Sequence, residues 1–238
     1  MDVRYVTYTH TNCSDVWPIY FEKLNKHAPD FNHTVMCNEH HEFPGAECFV
    51  YDDDKNYCEE YVRCLNSFEE DKIIYMQEDF YLYDDCDTET IKSFSTLIDQ
   101  GETDFIRFLK SGFVSEYNTK FENLYYVIPP NQLYQYENSY SMQPTLWNKK
   151  RLIDLYEKTK LERFNESVKF AMMMNELKII GMYYYNGEPK RGLYHCDSSI
   201  FPYIATAVVK GKWNTSEYPE LETILKENDV NITSRGTR

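Results

Sequence analysis

The sequence predicts an α/β domain in which a mainly parallel, mixed central sheet is flanked by helices. Strand-like and helix-like segments alternate along the first half of the chain, as in sheets built from strand–helix–strand units. Residues 72–76 (KIIYM) form a nearly continuous apolar run, which is typical of a central strand covered on both faces. The 238 residues, of which 42% are hydrophobic, suffice for one domain with a substantial core.

In the first half, runs of β-branched and aromatic residues predict strands, and apolar residues at helical spacing predict helices. Asp15 is the expected cap of the first helix, whose first turn tolerates Pro18. The expected elements, in order, are a strand at 3–9, a helix at 16–26, strands at 34–37 and 48–51, a helix at 56–68, a strand at 72–76, a helix at 88–99 and a strand at 104–109.

The second half changes in style, because its strand-like runs are interrupted by turn signals. One run stops at the Pro129-Pro130 pair, another ends at the turn Asn186-Gly187, and Asn165 is the expected cap of a helix. The expected elements are a strand at 125–128, an extended segment at 140–147, helices at 148–158 and 166–176, a strand at 178–185 and an apolar segment at 203–209. Residues 215–238 are polar and are expected to form a tail or a linker.

Composition and charge exclude several classes of protein. The chain has 25 Lys and Arg against 39 Asp and Glu, a net charge of −14, so it lacks the basic surplus that gripping nucleic acid requires. No stretch approaches the roughly 18 apolar residues of a transmembrane segment, and residues 1–15 do not have the pattern of a signal-peptide core. The seven cysteines contain no C-x-x-C pair and predict reduced thiols in a cytoplasmic protein. The 22 tyrosines suit contacts with sugars or nucleotides, although core packing explains them equally.

The most informative motif is Gln77-Glu78-Asp79, at the end of the apolar strand. In open α/β sheets, ligands bind beyond the carboxyl ends of the strands. Two carboxylates there offer hard oxygen ligands for Mg²⁺ or Mn²⁺ shared with substrate phosphates. A solvated acidic turn is the structural alternative. The acidic run 52–54 after another strand is either a solvated turn or a contact to a ribose or base. His195 follows a loop carrying two cations and is a candidate for contact with a metal or a diphosphate.

Together these motifs resemble the GT-A type of nucleotide-sugar glycosyltransferase from about residue 4 to residue 214. Residues 5–10 match the first strand and the nucleotide-contacting loop, and residues 73–80 match the central strand and its acidic motif, although Gln-Glu-Asp departs from the usual Asp-x-Asp. Residues 141–147 look like the acceptor segment of compact members that build surface polysaccharides in bacteria and on large viruses. Residues 185–187, 202–204 and 210–212 resemble the closing segment near the diphosphate.

The resemblance implies a GT-A-like single domain at 1–214, with a nucleotide-sugar half at about 1–110 and an acceptor half at about 111–214. It implies Mn²⁺ or Mg²⁺ as cofactor, bound by Asp79, Glu78 and His195. Glu166 is the implied catalytic base, with Glu162 as its competitor. The implied nucleotide-sugar contacts are Thr7, Tyr8, Thr9, His10, Asp52, Gln77, Asp79, Lys210 and Lys212. The implied acceptor contacts are Gln143, Trp147 and Tyr140.

The expected activity is transfer of one sugar from a nucleoside-diphosphate sugar, UDP-linked by family frequency, to a hydroxyl of a glycan acceptor. Direct attack predicts inversion at the anomeric centre, and retention stays open as the alternative outcome. The chain is also expected to be one module of a longer protein. Two alternatives remain open at this stage. One is a sugar-1-phosphate nucleotidyltransferase, although residues 9–14 lack the glycines and cations of a triphosphate loop. The other is a glycan-binding module without catalysis.

Overall fold

A computed structural model describes residues 3–28, 30–111, 114–133, 140–160, 167–191 and 195–238. The strands in these residues are β1 Val3–Tyr8, β2 Asn32–Cys37, β3 Glu47–Val50, β4 Lys72–Gln77, β5 Tyr81–Leu82, β6 Phe105–Arg107, β7 Tyr117–Asn118, β8 Leu124–Tyr126, β9 Thr145–Asn148, β10 Gly181–Tyr184, β11 Lys190–Arg191, β12 His195–Cys196, β13 Tyr203–Ile204, β14 Val208–Val209 and β15 Lys212–Trp213. The α-helices are α1 Trp17–His27, α2 Tyr57–Leu65, α3 Thr88–Asp99, α4 Lys149–Thr159, α5 Ser167–Glu176 and α6 Leu221–Glu227.

A nine-stranded sheet forms the centre of the domain, in the order β3-β2-β1-β4-β9-β6-β10-β8-β7. Strands β3, β2, β1 and β4 are mutually parallel, as expected for the first half. Strand β9 pairs antiparallel with both β4 and β6, and β8 pairs antiparallel with both β10 and β7. The sheet is therefore mostly parallel with two reversed strands, and the predicted α/β class is confirmed.

Helices cover both faces of the sheet, because successive side chains of a strand point to opposite sides. On β4, Ile74 and Met76 pack in one core with α1, α3 and α6. Ile73 and Tyr75 pack in a second core with α2, α4 and α5. The expectation that this strand is central and covered twice is confirmed. None of the helices in the described residues is long and apolar enough to cross a bilayer.

The boundaries of most helices agree with the sequence analysis, but the start of the first helix does not. Helix α3 begins and ends at the predicted residues, with Asp87 accepting from the backbone N–H of Thr90. Helix α1 begins at Trp17, and its N-cap residue makes no side-chain capping bond. Asp15 does not cap the helix, because its carboxylate is bonded to the Arg235 guanidinium.

The polar segment after residue 214 is folded onto the domain, which corrects the expectation of a tail or linker. Helix α6 buries Leu221, Ile224 and Leu225 in the core beside α1 and α3. The last residues then return to β15, where the backbone N–H of Trp213 donates to the carbonyl of Gly236 at 3.0 Å. The few apolar side chains of this segment are spaced so that one face of a short helix is buried, and backbone pairing anchors the rest.

Candidate functional site

A cavity of about 660 Å³ opens where β1, β3 and β4 end. These strands are parallel members of the central sheet, so their carboxyl ends lie at one edge, where ligands of α/β proteins bind. The volume lies within the range of about 300–1,000 Å³ typical of ligand pockets. The lining residues are Tyr8, Cys13, Val16, Tyr51, Asp52, Asp53, Lys55, Tyr57, Glu60, Gln77, Glu78, Asp79, Val208 and Arg235.

Glu78 and Asp79 lie at one end of this cavity, directly after β4. The Oδ2 atom of Asp79 accepts from the backbone N–H of Val208 at 3.3 Å, and its carbonyl accepts from that of Ala207 at 3.1 Å. The thiol of Cys13 donates to Glu78. Strand β14 and the loop after β1 therefore fix the two carboxylates from both sides.

Without a cation, the surroundings of Glu78 and Asp79 disfavour the charged forms of both carboxyl groups. Burial, followed by the charge of Glu78, raises the pKa of Asp79 from 3.8 to about 8. Burial also raises the pKa of Glu78. Burial and the Glu78 carboxylate together raise the pKa of the Cys13 thiol to about 12. Each shift means that this end of the cavity disfavours additional negative charge and would be stabilised by a cation.

The chemistry of these groups fits a magnesium or manganese ion that is shared with substrate. Mg²⁺ typically takes one or two carboxylates and completes its coordination with phosphate oxygens and water. Glu78 and Asp79 supply two such groups in a partly desolvated position. The described residues contain no group of three or more His, Cys, Asp or Glu side chains arranged to hold a metal ion. The site therefore fits an ion that depends on its substrate for ligands, rather than a closed protein cage.

The cavity is also lined by aromatic and acidic residues that follow β1 and β3. Tyr8 stacks on Tyr51, with ring centroids 5.0 Å apart and planes 21° from parallel, and meets Tyr57 edge-on at 5.2 Å. Asp52 and Asp53, in the turn after β3, add carboxylate acceptors beside these rings. Flat aromatic faces with adjacent hydrogen-bond acceptors are suited to a nucleobase and its ribose.

An ion pair between the buried Glu60 and the exposed Arg63 holds that turn in place. The carboxylate of Glu60, on α2, accepts from the backbone N–H of Asp52 at 3.0 Å. Arg63, one turn later, pairs with Glu60 and donates to the carbonyl of Val50 at 2.8 Å. The bonds to Arg63 and to the Asp52 backbone keep the pKa of Glu60 low in spite of burial. Helix α2 thus holds the acidic turn at residues 52–54 in position.

Five of the predicted site residues line the cavity: Tyr8, Asp52, Gln77, Glu78 and Asp79. His10 lies at its edge, where its Nε2 atom is 3.3 Å from the carboxylate of Asp53. The structure therefore brings together most of the residues predicted at the strand ends.

The side chains of Thr7 and Thr9 point into the protein, which corrects their expected contact with the nucleotide. Thr7 is completely buried and its hydroxyl bonds to Tyr20 and His33. Thr9 is 2% exposed and accepts from the indole N–H of Trp17 at 2.7 Å. Strand alternation places Thr7 on the face opposite Tyr8, away from the cavity.

His195 also lies away from Glu78 and Asp79. Its Nε2 atom bonds to the hydroxyl of Tyr218, and burial lowers its pKa. Its strand β12 pairs with β11, and it is not among the cavity residues. The structure thus gives His195 a buried hydrogen-bonding position and does not place it beside the proposed metal ligands.

Lys210 and Lys212 are exposed in the β14–β15 hairpin. They do not line the cavity, although Val208 at the start of this hairpin does.

The predicted acceptor residues are occupied by contacts within the protein. Trp147, on β9, is 3% exposed, and its ring lies 4.3 Å from that of Phe105. This core position corrects its expected contact with an acceptor. The Tyr140 ring stacks on Phe170 at 3.9 Å, and the amide oxygen of Gln143 accepts from the Tyr203 hydroxyl. The two predicted catalytic carboxylates, Glu162 and Glu166, lie outside the described residues.

Several cavity residues were not anticipated from the sequence, among them Cys13, Glu60, Val208 and Arg235. Glu60 is marked only by its place in the first turn of a helix that follows the acidic run. Cys13 and Arg235 enter through tertiary packing, and Arg235 is paired with a residue 220 positions away. No local pattern identifies them.

No known sequence family matches the chain, and no curated protein sequence matches it. Among solved structures, it is similar to TarS of S. aureus, residues 1–349, with a TM-score of 0.51 and 12% identity over 99% of this chain and 68% of that one. A longer TarS structure has a TM-score of 0.50 and 13% identity over 99% of this chain and 41% of that one.

A cytidylyltransferase from Leptospira borgpetersenii serovar Hardjo-bovis is similar to the same degree. The TM-score is 0.51 and the identity 14%, over 96% of this chain and 95% of that one. TarS and this cytidylyltransferase share one fold. From its mixed sheet, the cavity at the strand ends and these similarities, we conclude that the chain has the nucleotide-diphospho-sugar transferase fold.

Proposed function

We propose that the chain is a metal-dependent glycosyltransferase that moves one sugar from a nucleoside-diphosphate sugar, UDP-linked in the first instance, to a hydroxyl of a glycan acceptor. The observation that carries the proposal is the pair Glu78 and Asp79 in the wall of a cavity that is also lined by stacked tyrosines. A nucleoside diphosphate has matching ends, a flat base and an anionic group that binds divalent cations.

The loop after β1 favours transfer of a sugar over transfer of a nucleotide. Residues 9–14 contain no Gly, Lys or Arg, and residues 11–13 form a 3₁₀ turn with a side-chain cap from His10. A triphosphate needs several cations or free backbone N–H groups to offset its charge. The cavity offers Lys55 and Arg235 against five carboxylates, a balance better matched to a diphosphate that arrives with a metal ion.

In this proposal each part of the cavity has one task. Tyr8, Tyr51 and Tyr57 bind the base and ribose, and the Glu60–Arg63 pair holds the acidic turn beside them. Glu78 and Asp79 hold Mn²⁺ or Mg²⁺, which supplies positive charge to the departing diphosphate. Glu166, with Glu162 as the alternative, takes the proton of the attacking acceptor hydroxyl, and direct attack inverts the anomeric centre.

Thermal unfolding with nucleotide sugars tests this function. We expect one of UDP-, GDP- or dTDP-linked sugars to raise the melting temperature only when Mn²⁺ or Mg²⁺ is also present, since neither ligand alone completes the site. At a ligand concentration of about 100 times Kd, binding stabilises by about 2.7 kcal/mol, or about 5–10 °C for a domain of this size. Release of the nucleoside diphosphate in the presence of glycan acceptors then measures transfer.

Two controls separate the alternatives. CTP and UTP with a sugar 1-phosphate would yield pyrophosphate if the chain were a nucleotidyltransferase. A shift with glycans alone, independent of metal, would indicate a binding module. Either result, without a metal-dependent response to any nucleotide sugar, would contradict the proposal.

A further inference from the structure

The last residues of the chain form part of the wall of the cavity. Residues 236–238 lie alongside β15, where the backbone N–H of Trp213 donates to the Gly236 carbonyl and that of Arg238 donates to the Trp213 carbonyl at 2.9 Å. The carbonyl of Arg238 accepts from the backbone N–H of Ser216 at 3.0 Å. These bonds fix the position of Arg235, immediately before the paired residues.

Arg235 is held in one orientation. Its Nε and Nη2 atoms donate to the two oxygens of Asp15, a bidentate arrangement that fixes the plane of the guanidinium. The guanidinium carbon lies 5.7 Å from the centroid of the Trp213 ring. The side chain is 16% exposed, against 44% for Asp15. Among the described residues, Asp15 is the sole acceptor of hydrogen bonds from the Arg235 guanidinium, which leaves Nη1 with its hydrogens free.

Arg235 lines the same cavity as Glu78 and Asp79. The other cation among the described residues of the cavity wall, Lys55, lies 3.9 Å from Asp52. An anion held at Glu78 and Asp79 through a metal ion would therefore share the cavity with the Arg235 guanidinium.

We propose that Arg235 binds the diphosphate of the nucleotide donor, with Asp15 as the positioning residue that aims its guanidinium. This proposal rests on the proposed function, because it requires a nucleoside diphosphate in the cavity. The guanidinium is suited to the task, since it stays charged at all relevant pH values and presents several donors in one plane. The diphosphate would then lie between the metal ion and Arg235, with positive charge on two sides.

The test compares binding of UDP with binding of uridine, which lacks the diphosphate. Dissociation constants are measured by calorimetry with Mn²⁺ for the wild type, Arg235→Gln and Arg235→Lys. GDP, CDP or dTDP with its nucleoside replaces UDP and uridine if it binds more tightly. We expect Arg235→Gln to weaken UDP binding at least about tenfold, the size of a charge-assisted bond, and to change uridine binding less than about twofold. Arg235→Lys retains the positive charge but not the planar set of donors. Its UDP affinity should therefore lie between those of the wild type and Arg235→Gln.

Lys226→Gln is the matched control, because it removes one positive charge from the exposed last turn of α6. It should leave both affinities unchanged. If Arg235→Gln does not fold, Asp15→Asn replaces it; this variant frees the guanidinium and should weaken UDP binding but not uridine binding.

The outcomes are distinguishable. Equal UDP affinity for the wild type and Arg235→Gln, or equal losses for UDP and uridine, would overturn the role of Arg235 and leave the proposed function standing. Failure of the wild type to bind any nucleoside diphosphate with Mn²⁺ would overturn both.

Discussion

Asp79→Asn is expected to make the metal-free protein more stable at pH 8 and to abolish its metal-dependent activity. The amide still accepts the hydrogen bond from the backbone N–H of Val208, but it carries no charge beside Glu78. The pKa of Asp79 rises from 3.8 to about 8 on folding, so the folded state holds this proton more tightly than the unfolded state. The stability from that proton is fully present below about pH 4 and is lost as the pH rises through about 8.

Melting temperatures from pH 4 to pH 9 in EDTA measure this effect. The wild type should lose stability as the pH rises, and Asp79→Asn should show a shallower slope and melt at least about 3 °C higher at pH 8, equivalent to about 1 kcal/mol. The order should reverse when Mn²⁺ and a nucleotide sugar are added, because only the wild type retains both carboxylate ligands. Transfer should fall about 10³-fold, since the variant loses the site of positive charge for the departing diphosphate.

Asp229→Asn serves as the control for the charge change, because Asp229 is exposed after α6. It should alter neither the pH slope nor transfer. If Asp79→Asn retained the metal-dependent shift and full transfer, Asp79 would not be a metal ligand.

Gly181→Ala is expected to be the most destabilising single-methyl change in the central sheet. Gly181 lies opposite Phe105 in the β6–β10 pair, and a Cβ atom there would sit 2.0 Å from the tip of the Phe105 ring. That ring cannot easily move, because it is 1% exposed and packed 4.3 Å from Trp147. Overpacking of this kind costs about 3 kcal/mol, and we expect the melting temperature to fall by about 6–12 °C.

Two further variants show whether the clash is the cause. Gly187→Ala meets no atom within 4 Å but has a φ of +81°, so it should cost only about 1 kcal/mol of backbone strain. In a Phe105→Leu background, Gly181→Ala should lower the melting temperature by less, because the smaller side chain leaves room for the methyl group. Additive effects of the two changes would contradict a direct clash.

The acidic motif could be predicted from the sequence because its position depends on one local rule. An apolar run long enough to be a covered strand also shows where that strand ends, and Glu78 and Asp79 follow directly. Parallel strands end at the same edge, so the run at 52–54 could be placed near them. The same reasoning misplaced Thr7 and Thr9, because alternation reveals two faces of β1 without showing which face borders the cavity.

The acceptor side was less predictable because it depends on strand pairing. The sequence places Trp147 in an aromatic, extended segment, where it was expected to contact the acceptor. In the structure this segment is β9, which lies between β4 and β6. The Trp147 indole is therefore buried in the core. Neither the antiparallel direction of β9 nor the burial that results from it can be predicted from the composition of residues 145–148.

Cys13 and Arg235 illustrate a different limit. Both residues reach the cavity only because segments far apart in the chain pack together, and Asp15 and Arg235 are 220 residues apart. A sequence pattern that extends over one element carries no information about such a pair.

The cavity wall extends in sequence from Tyr8 to Arg235, and this has a consequence for how the protein is made. A ribosome must release nearly the whole domain before Arg235 can pair with Asp15, so the nascent chain passes through a long period in which Glu78 and Asp79 face solvent without that cation. A fragment ending near residue 110 would contain the acidic strand end and the tyrosines but not Val208 or Arg235. Full donor affinity should therefore require the chain as far as Arg235, rather than the nucleotide-sugar half alone.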